Sequence, residues 1–160
     1  MGSDFENDAL KIFLTGGKRS DYSESDVHYV LAFRRFQSGD FISWNWASFF
    51  LGAIHAAYRK NWIAFVFSLL APFSLGHILF ALFGDYLYFL KFKHTKESAE
   101  FAAQAGGDKE NFLAKKGGTN AALAIVLLLL CALLVSLIVF NAAGFVIQSL
   151  PFHDFNSWKL

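Results

Sequence analysis

Three ionisable side chains, His55, His77 and Asp85, lie well inside apolar stretches of this sequence. Such groups are costly in hydrocarbon, and they mark ion paths, ligand contacts or bonds between helices. On one helix, His77, Ala81, Gly84, Asp85 and Tyr88 fall along a single stripe. Its small residues would let a neighbouring helix approach closely. Hydrogen bonding between helices asks least of such a stripe. A proton or ion path through Asp85 and His77 is a second use. Ligation of haem or a metal by paired histidines is a third, but no Glu-x-x-His or His-Glu-x-x-His spacing supports it. There is no phosphate loop, nucleophile elbow or Cys-x-x-Cys. Gly16-Gly17-Lys18 lacks the upstream Gly and the following Ser or Thr of a phosphate loop and reads as a turn. No catalytic, cofactor-binding or metal-binding residue is assigned, and nothing in the sequence points to an enzyme.

A second group is chemical in a different way. Ser43-Trp44-Asn45-Trp46-Ala47-Ser48-Phe49-Phe50-Leu51-Gly52 is a short apolar segment with tryptophans at its entrance, closed by Tyr58-Arg59-Lys60. Trp44, Asn45 and Trp46 could hold a partner or a lipid head group. They could equally anchor an interface, with indoles at head-group level and Asn45 satisfying backbone groups where a helix starts. Arg59 and Lys60 could bind lipid phosphate, or simply set topology.

The composition says where these groups sit. Hydrophobic residues make up 55% of the 160 and charged residues 17%, against about 45–50% and about 25% in ordinary soluble domains. The apolar excess, including 20 Phe, is clustered, which favours lipid over one large soluble core. A net charge of +1 gives no case for nucleic acid. The single cysteine, Cys131, cannot form a disulfide within the chain. The acidic start, with no apolar run for about 40 residues, does not read as a signal peptide, and Glu6 does not fit a myristoylation site.

The elements follow from pattern. Asp4 to Phe13 suits a short helix capped by Asp4, with Phe5, Ala9, Leu10 and Phe13 on one side. A second helix should begin near Ser25 or Asp26, with Val27, Val30, Leu31, Ala32 and Phe36 as its apolar side and Phe33 near one edge. Phe41 to Tyr58 is membrane-active but short: Trp46 to Tyr58 rises roughly 18 Å, against a hydrocarbon core of about 30 Å. Trp62 to Leu90 exceeds one span and should break at Pro72 into a short helix to Ala71 and a longer one from Phe73 or Ser74. The longer one should leave the membrane near Tyr86 and Tyr88. Two short soluble helices should follow, Thr95 to Ala105 and Lys109 to Lys116, stopped by Gly106-Gly107 and Gly117-Gly118. Ala121 to Phe140 carries no charge and reads as a transmembrane helix, extended through Asn141 to Leu150 and stopped by Pro151. The Ala132–Ser136 small-residue pair in it is a weak packing signal.

This divides the chain into a cytoplasmic helical region (1–40), membrane segments (41–92), a cytoplasmic helical linker (93–119), a transmembrane helix (120–150) and an external tail (151–160). Lys11, Lys18, Arg19, Arg34 and Arg35, and then Lys91 to Lys116, place the N-terminus and the linker inside by the positive-inside rule; the tail carries only Lys159. An even number of crossings must then lie between Phe41 and Leu90. Either Phe41–Tyr58 and Trp62–Leu90 are two spans with Arg59-Lys60 outside, or Phe41–Tyr58 is re-entrant, Arg59-Lys60 stays inside and Pro72 tips a helical hairpin. The first is simpler; the second respects the short segments.

The block Trp44-Asn45-Trp46-Ala47-Ser48-Phe49-Phe50-Leu51-Gly52, with Tyr58-Arg59-Lys60, resembles a bacterial inner-membrane family of unknown function, the HrgC-like proteins. Tyr29, Phe33 and Phe36 upstream are similar to its aromatic-spaced helix. Asp85-Tyr86-Leu87-Tyr88 and Lys115-Lys116-Gly117-Gly118-Thr119 downstream also fit its pattern. The resemblance covers roughly Phe13 to Phe140. Ala53-Ile54-His55 depart from it, since the family usually has a Pro and a Trp there. The resemblance implies an inner-membrane location and no particular activity.

The expected fold is therefore an all-α integral membrane protein with three membrane-inserted segments, the middle one broken at Pro72. The expected role is a non-enzymatic membrane interaction or assembly protein, seated in the lipid bilayer as a homo-oligomer or within a membrane protein complex. The alternative is a small transporter or channel component using the stripe of His55, His77, Asp85 and Tyr88.

Overall fold

The computed structural model describes residues 2–70 and 73–149, with side chains for residues 7–69 and 75–146. Every regular element among them is an α-helix: α1 (Gly2–Thr15), α2 (Glu24–Gln37), α3 (Trp46–Tyr58), α4 (Trp62–Leu70), α5 (Phe73–Gln104), α6 (Lys109–Lys116) and α7 (Ala121–Ser149). Met1 to Ala124 forms one compact unit, and a second begins at Ile125 within α7. Two helices, α5 and α7, are long and apolar enough to cross a membrane. The expected break at Pro72 and the tail after Pro151 lie outside the described residues; α4 ends at Leu70 and α5 starts at Phe73.

The first unit is built on α5. Its Tyr88, Phe89 and Phe92 meet Leu10, Phe13 and Leu14 of α1 and Tyr29, Ala32, Phe33 and Phe36 of α2 in one buried cluster. The rings interlock at 5.2 Å for Phe13–Phe92 and Phe33–Phe89 and 5.1 Å for Tyr29–Tyr88, each such pair adding about 0.5–1.5 kcal/mol beyond its area. The buried face of α2 differs from the expected one. Phe33 is at its centre, while Val27 and Leu31 are 45% and 56% exposed. The aromatic series Tyr29, Phe33, Phe36 follows helical spacing and buries more area than the aliphatic pair, so it takes the core side. The Ala9, Leu10 and Phe13 side of α1 is buried as expected; Phe5 lies outside the described side chains, and Asp4 falls inside a helix that starts at Gly2.

Helix α5 also corrects an expected boundary. It runs unbroken through Leu90 to Gln104, so membrane segment and linker share one helix. No Gly or Pro stands between Gly84 and Gly106. Thr95 does not cap a new helix; its hydroxyl donates to the Lys91 carbonyl one turn back (2.7 Å), and Ser98 does the same to His94 (2.8 Å). Tyr88 is in the protein core instead of at an interface. α6 begins as expected at Lys109, capped by Asp108, whose carboxylate accepts from the Asn111 N–H (3.1 Å), and α7 is capped by Asn120, whose side-chain oxygen accepts from the Leu123 N–H (3.1 Å).

Two glycine pairs meet. The Gly118 N–H donates to the Phe13 carbonyl (2.6 Å), and a Cβ on Gly117 would overlap that same carbonyl oxygen. The stop of α6 is thereby docked on the end of α1. The end of α3 is fixed to the same region. Lys60 has φ 54, its N–H donates to Ala57 and the Asn61 N–H donates to Ala56, a Schellman ending with a lysine where glycine is usual. The Lys60 ammonium then donates to the carbonyls of Lys115 (3.3 Å) and Gly117 (2.8 Å).

Candidate functional site

Asn45 caps α3 with its side-chain oxygen, accepting from the Ser48 N–H at 3.0 Å. That bond fixes which end of the amide faces the interior. Its Nδ2 donates to Asp85 (2.6 Å) and to the Tyr29 hydroxyl (3.3 Å). The Asp85 carboxylate, 1% exposed, also accepts from the Ser43 hydroxyl and from His28 Nε2 (2.8 Å). α2 and the stretch before α3 thus both donate to one carboxylate carried by α5.

The donor sequence continues. The Tyr29 hydroxyl, which accepts from Asn45, lies 3.0 Å from His55 Nε2, and His55 Nδ1 lies 3.0 Å from Ser48 Oγ; the assignment that gives the phenol proton an acceptor has it donate to Nε2, with Nδ1–H donating to Ser48. Burial pushes the Tyr29 phenol up from its ordinary value, so it remains a donor. The hydrogen bond to Asp85 raises His28, outweighing partial burial.

Beside this network lies an ion pair. Arg59, 3% exposed, donates to Asp26 (3.2 Å) and Ser25 (3.4 Å) and stacks 4.2 Å over the Tyr29 ring. Burial pushes the Asp26 carboxyl up, but bonds from the Ser23 hydroxyl (2.6 Å), the Ser23 N–H (3.1 Å) and Arg59 outweigh it and hold the group below the ordinary carboxylate range. Arg59 Nε and the Tyr88 hydroxyl are buried with no well-formed hydrogen bond among the described residues, and the two residues stand together on a small cavity of about 10 Å³.

The aromatic block is two-faced. Ser43, Asn45 and Ser48 are buried, while Trp44, Trp46 and Phe50 are 40%, 61% and 70% exposed. The indoles meet edge to face at 5.1 Å, and Trp46 stacks on Phe50 at 5.9 Å. Between this block and α2 opens a cavity of about 520 Å³, with Trp44, Trp46, Leu51, Ile54 and Tyr58 on its apolar side and His28, Tyr29, Asn45, His55 and Arg59 on its polar side. Gly52 bends α3 with φ 42 and ψ −114; a side chain there would press on Ser68 and His77 at 3.1–3.2 Å.

Of the residues singled out from sequence, Trp44, Asn45, Trp46, His55, Tyr58 and Arg59 line this one cavity. Asp85 lies behind it, and Tyr88 lies in the core below. His77 is not part of that group. It sits beside Gly52, about 12 Å along α5 from Asp85. Lys60 faces α6 instead. Sequence reasoning missed His28 and gave Asp26 no site role; Tyr29 entered it only through an aromatic helix, and Ser43 and Ser48 only as members of the aromatic block. Asp26, Tyr29, Phe33 and Phe36 share one helical face, and that spacing is the signal that would have turned Asp26 inward. The chain matches no protein-family model, no curated protein and no solved structure.

Proposed function

We propose that this chain is a non-enzymatic protein of the bacterial inner membrane that acts by interaction and assembly through its exposed aromatic block. The observation that carries the reading is the division of that block. Its polar side chains are spent on Asp85, His55 and the helix cap, which leaves Trp44, Trp46 and Phe50 as a fixed apolar surface. The resemblance to the HrgC-like family and the two long apolar helices favour the membrane. A transport path along His77 and Asp85 has less support, because both carboxylate oxygens of Asp85 already accept donors from elsewhere.

The re-entrant topology is the better reading of Phe41–Tyr58. Arg59 bonded to Asp26, Lys60 bonded to the end of α6, and the Asn120 N–H donating to the Tyr58 carbonyl (2.7 Å) all favour one side for Arg59, the N-terminal helices and the linker. With 9 residues, α4 rises only about 14 Å, about half the hydrocarbon core. α3, α4 and the start of α5 then enter one leaflet and return, α7 crosses, and the tail is external.

Light scattering of the full chain in detergent tests the assembly. A discrete homo-oligomer that dissociates in the Trp46→Ala/Phe50→Ala variant, with helicity retained, is expected. A monomer with no companion in wild type, or an oligomer indifferent to both substitutions, overturns it.

A further inference from the structure

The ends of α1, α3 and α6 meet at one place, and lysines gather there. Gly16 and Gly17 lie against Gly118 and Ala114, which brings Lys18 to the end of α6. The Lys60 ammonium donates to the Lys115 and Gly117 carbonyls, and the Lys91 ammonium reaches from α5 to the Arg59 carbonyl (3.1 Å). The charged groups that act on Lys91 are Lys60, Lys116 and Arg59, and the one that acts on Lys60 is Lys18. All are cations. Arg59 is balanced by Asp26, but among the described residues no ion pair reaches Lys18, Lys60, Lys91 or Lys116. A carbonyl accepts a hydrogen bond without cancelling the charge. The three helix ends together offset about one and a half charges, against four ammonium groups. Each ammonium has three donors, so Lys60 keeps one and Lys91 two, while Lys18 and Lys116 are exposed.

Apolar helices start and stop at the same place. α3 ends at Tyr58 and α4 starts at Trp62, whose side chain is 54% exposed. The Asn120 N–H on the Tyr58 carbonyl holds the start of α7 there as well. Tyr and Trp at such ends mark the head-group level of a bilayer. We propose that Lys18, Lys60, Lys91 and Lys116 form a binding face for the phosphate of anionic phospholipids. The inference deepens the membrane reading and rests on it. The phosphate supplies the acceptors and the negative charge that the cluster lacks, and the acyl chains meet the exposed start of α4.

The test is lipid selectivity of the full chain in phosphatidylcholine bilayers. Electron paramagnetic resonance compares the protein-restricted fraction of spin-labelled phosphatidate and phosphatidylglycerol with that of spin-labelled phosphatidylcholine. Preference for the anionic lipids by at least about fivefold, the scale of one lysine at a charged surface, is expected. Lys18→Gln/Lys116→Gln removes two exposed ammonium groups that tie no elements together, and should bring the preference within about twofold. Arg34→Gln/Arg35→Gln, at the end of α2, removes as much charge and should leave the preference as it is. Equal loss in the two double variants would assign the preference to net charge, and displacement by inorganic phosphate at matched ionic strength would assign the cluster to a free anion; either overturns the proposal. A restricted signal without preference overturns the proposal alone. No restricted signal from any lipid overturns the membrane reading and the proposal with it.

Discussion

α5 and α7 are the two helices of membrane-crossing length among the described residues, and they treat polar side chains in opposite ways. The apolar window of α5 is 44% buried and that of α7 is 0% buried. On α5, Asp85 is satisfied by Ser43, Asn45 and His28 from other elements. On α7, Ser136 donates to the Ala132 carbonyl (2.8 Å) and Asn141 to the Leu137 carbonyl (2.7 Å), each within its own helix. A polar group bonded to its own backbone makes no demand on the rest of the chain. One bonded across elements ties them together, and its loss leaves several buried donors stranded. Comparable length thus conceals a structural keystone in one helix and polar groups that serve only their own turn in the other.

The sharpest way to break this contrast is at Asp85. Asp85→Ala strands Ser43, Asn45 and His28 and should destabilise the first unit by about 3–5 kcal/mol, read as a drop in the unfolding midpoint in detergent. Asn141→Ala should cost under about 0.5 kcal/mol. Equal effects would show that the bonds to Asp85 hold the elements together no more firmly than Asn141 holds its own turn.

Next in size is the Arg59–Asp26 pair. Arg59→Gln leaves Asp26 buried without its main cation and should cost about 3 kcal/mol. Arg19, 3.5 Å away and half exposed, should offset only a little. Adding Asp26→Asn should recover part of the loss, and a double-mutant cycle measures the coupling. Additive losses would mean that Arg59 acts through its stacking on Tyr29 alone.

These two sites also show how far the sequence could be read. The helices, their glycine stops and the caps at Asn45, Asp108 and Asn120 follow local rules of spacing and capping, and all are visible in the chain. Asn45, His55 and Asp85 stand out because polar groups are rare in apolar segments. Asp26 and His28 do not, because they lie in a run of serines and acids where a solvated face is the ordinary outcome. Only the docking of α2 on α5 and on the end of α3 turns them inward, and that is a long-range event. Likewise the length of α5 past Leu90 depends on the absence of a breaker, while the change in hydropathy suggests an end.

A smaller effect separates charge from shape in the Asp85 network. Because the folded pKa of His28 is raised from about 6.5, its contribution is fully present below that value and is lost as pH rises through the folded pKa. The side chain is 43% exposed, so the size is about 1 kcal/mol or less. His28→Gln should flatten the alkaline side of the stability profile above about pH 6.5; an unchanged slope would assign that titration to another group. Asp26 works in the opposite direction, since its folded pKa is lowered and its stabilisation is lost only as pH falls through that value.

The smallest expected change tests the contrast from the other side. Tyr88 is 2% exposed in the aromatic core of α5, yet its hydroxyl, with Arg59 close by, makes no well-formed hydrogen bond among the described residues. Burying an unsatisfied hydroxyl costs about 1–3 kcal/mol, while its removal costs only a small packing change. Tyr88→Phe should therefore leave stability unchanged or raise it by up to about 1 kcal/mol, although it lies one turn from Asp85, where the same kind of substitution is the most damaging in the chain. Ser136→Ala on α7 should also be near neutral, but for the opposite reason, because its bond is made and serves only its own turn. A large loss in Tyr88→Phe would mean that the hydroxyl belongs to the network that holds α5, and the keystone would then extend from Asp85 down to the Phe13 cluster.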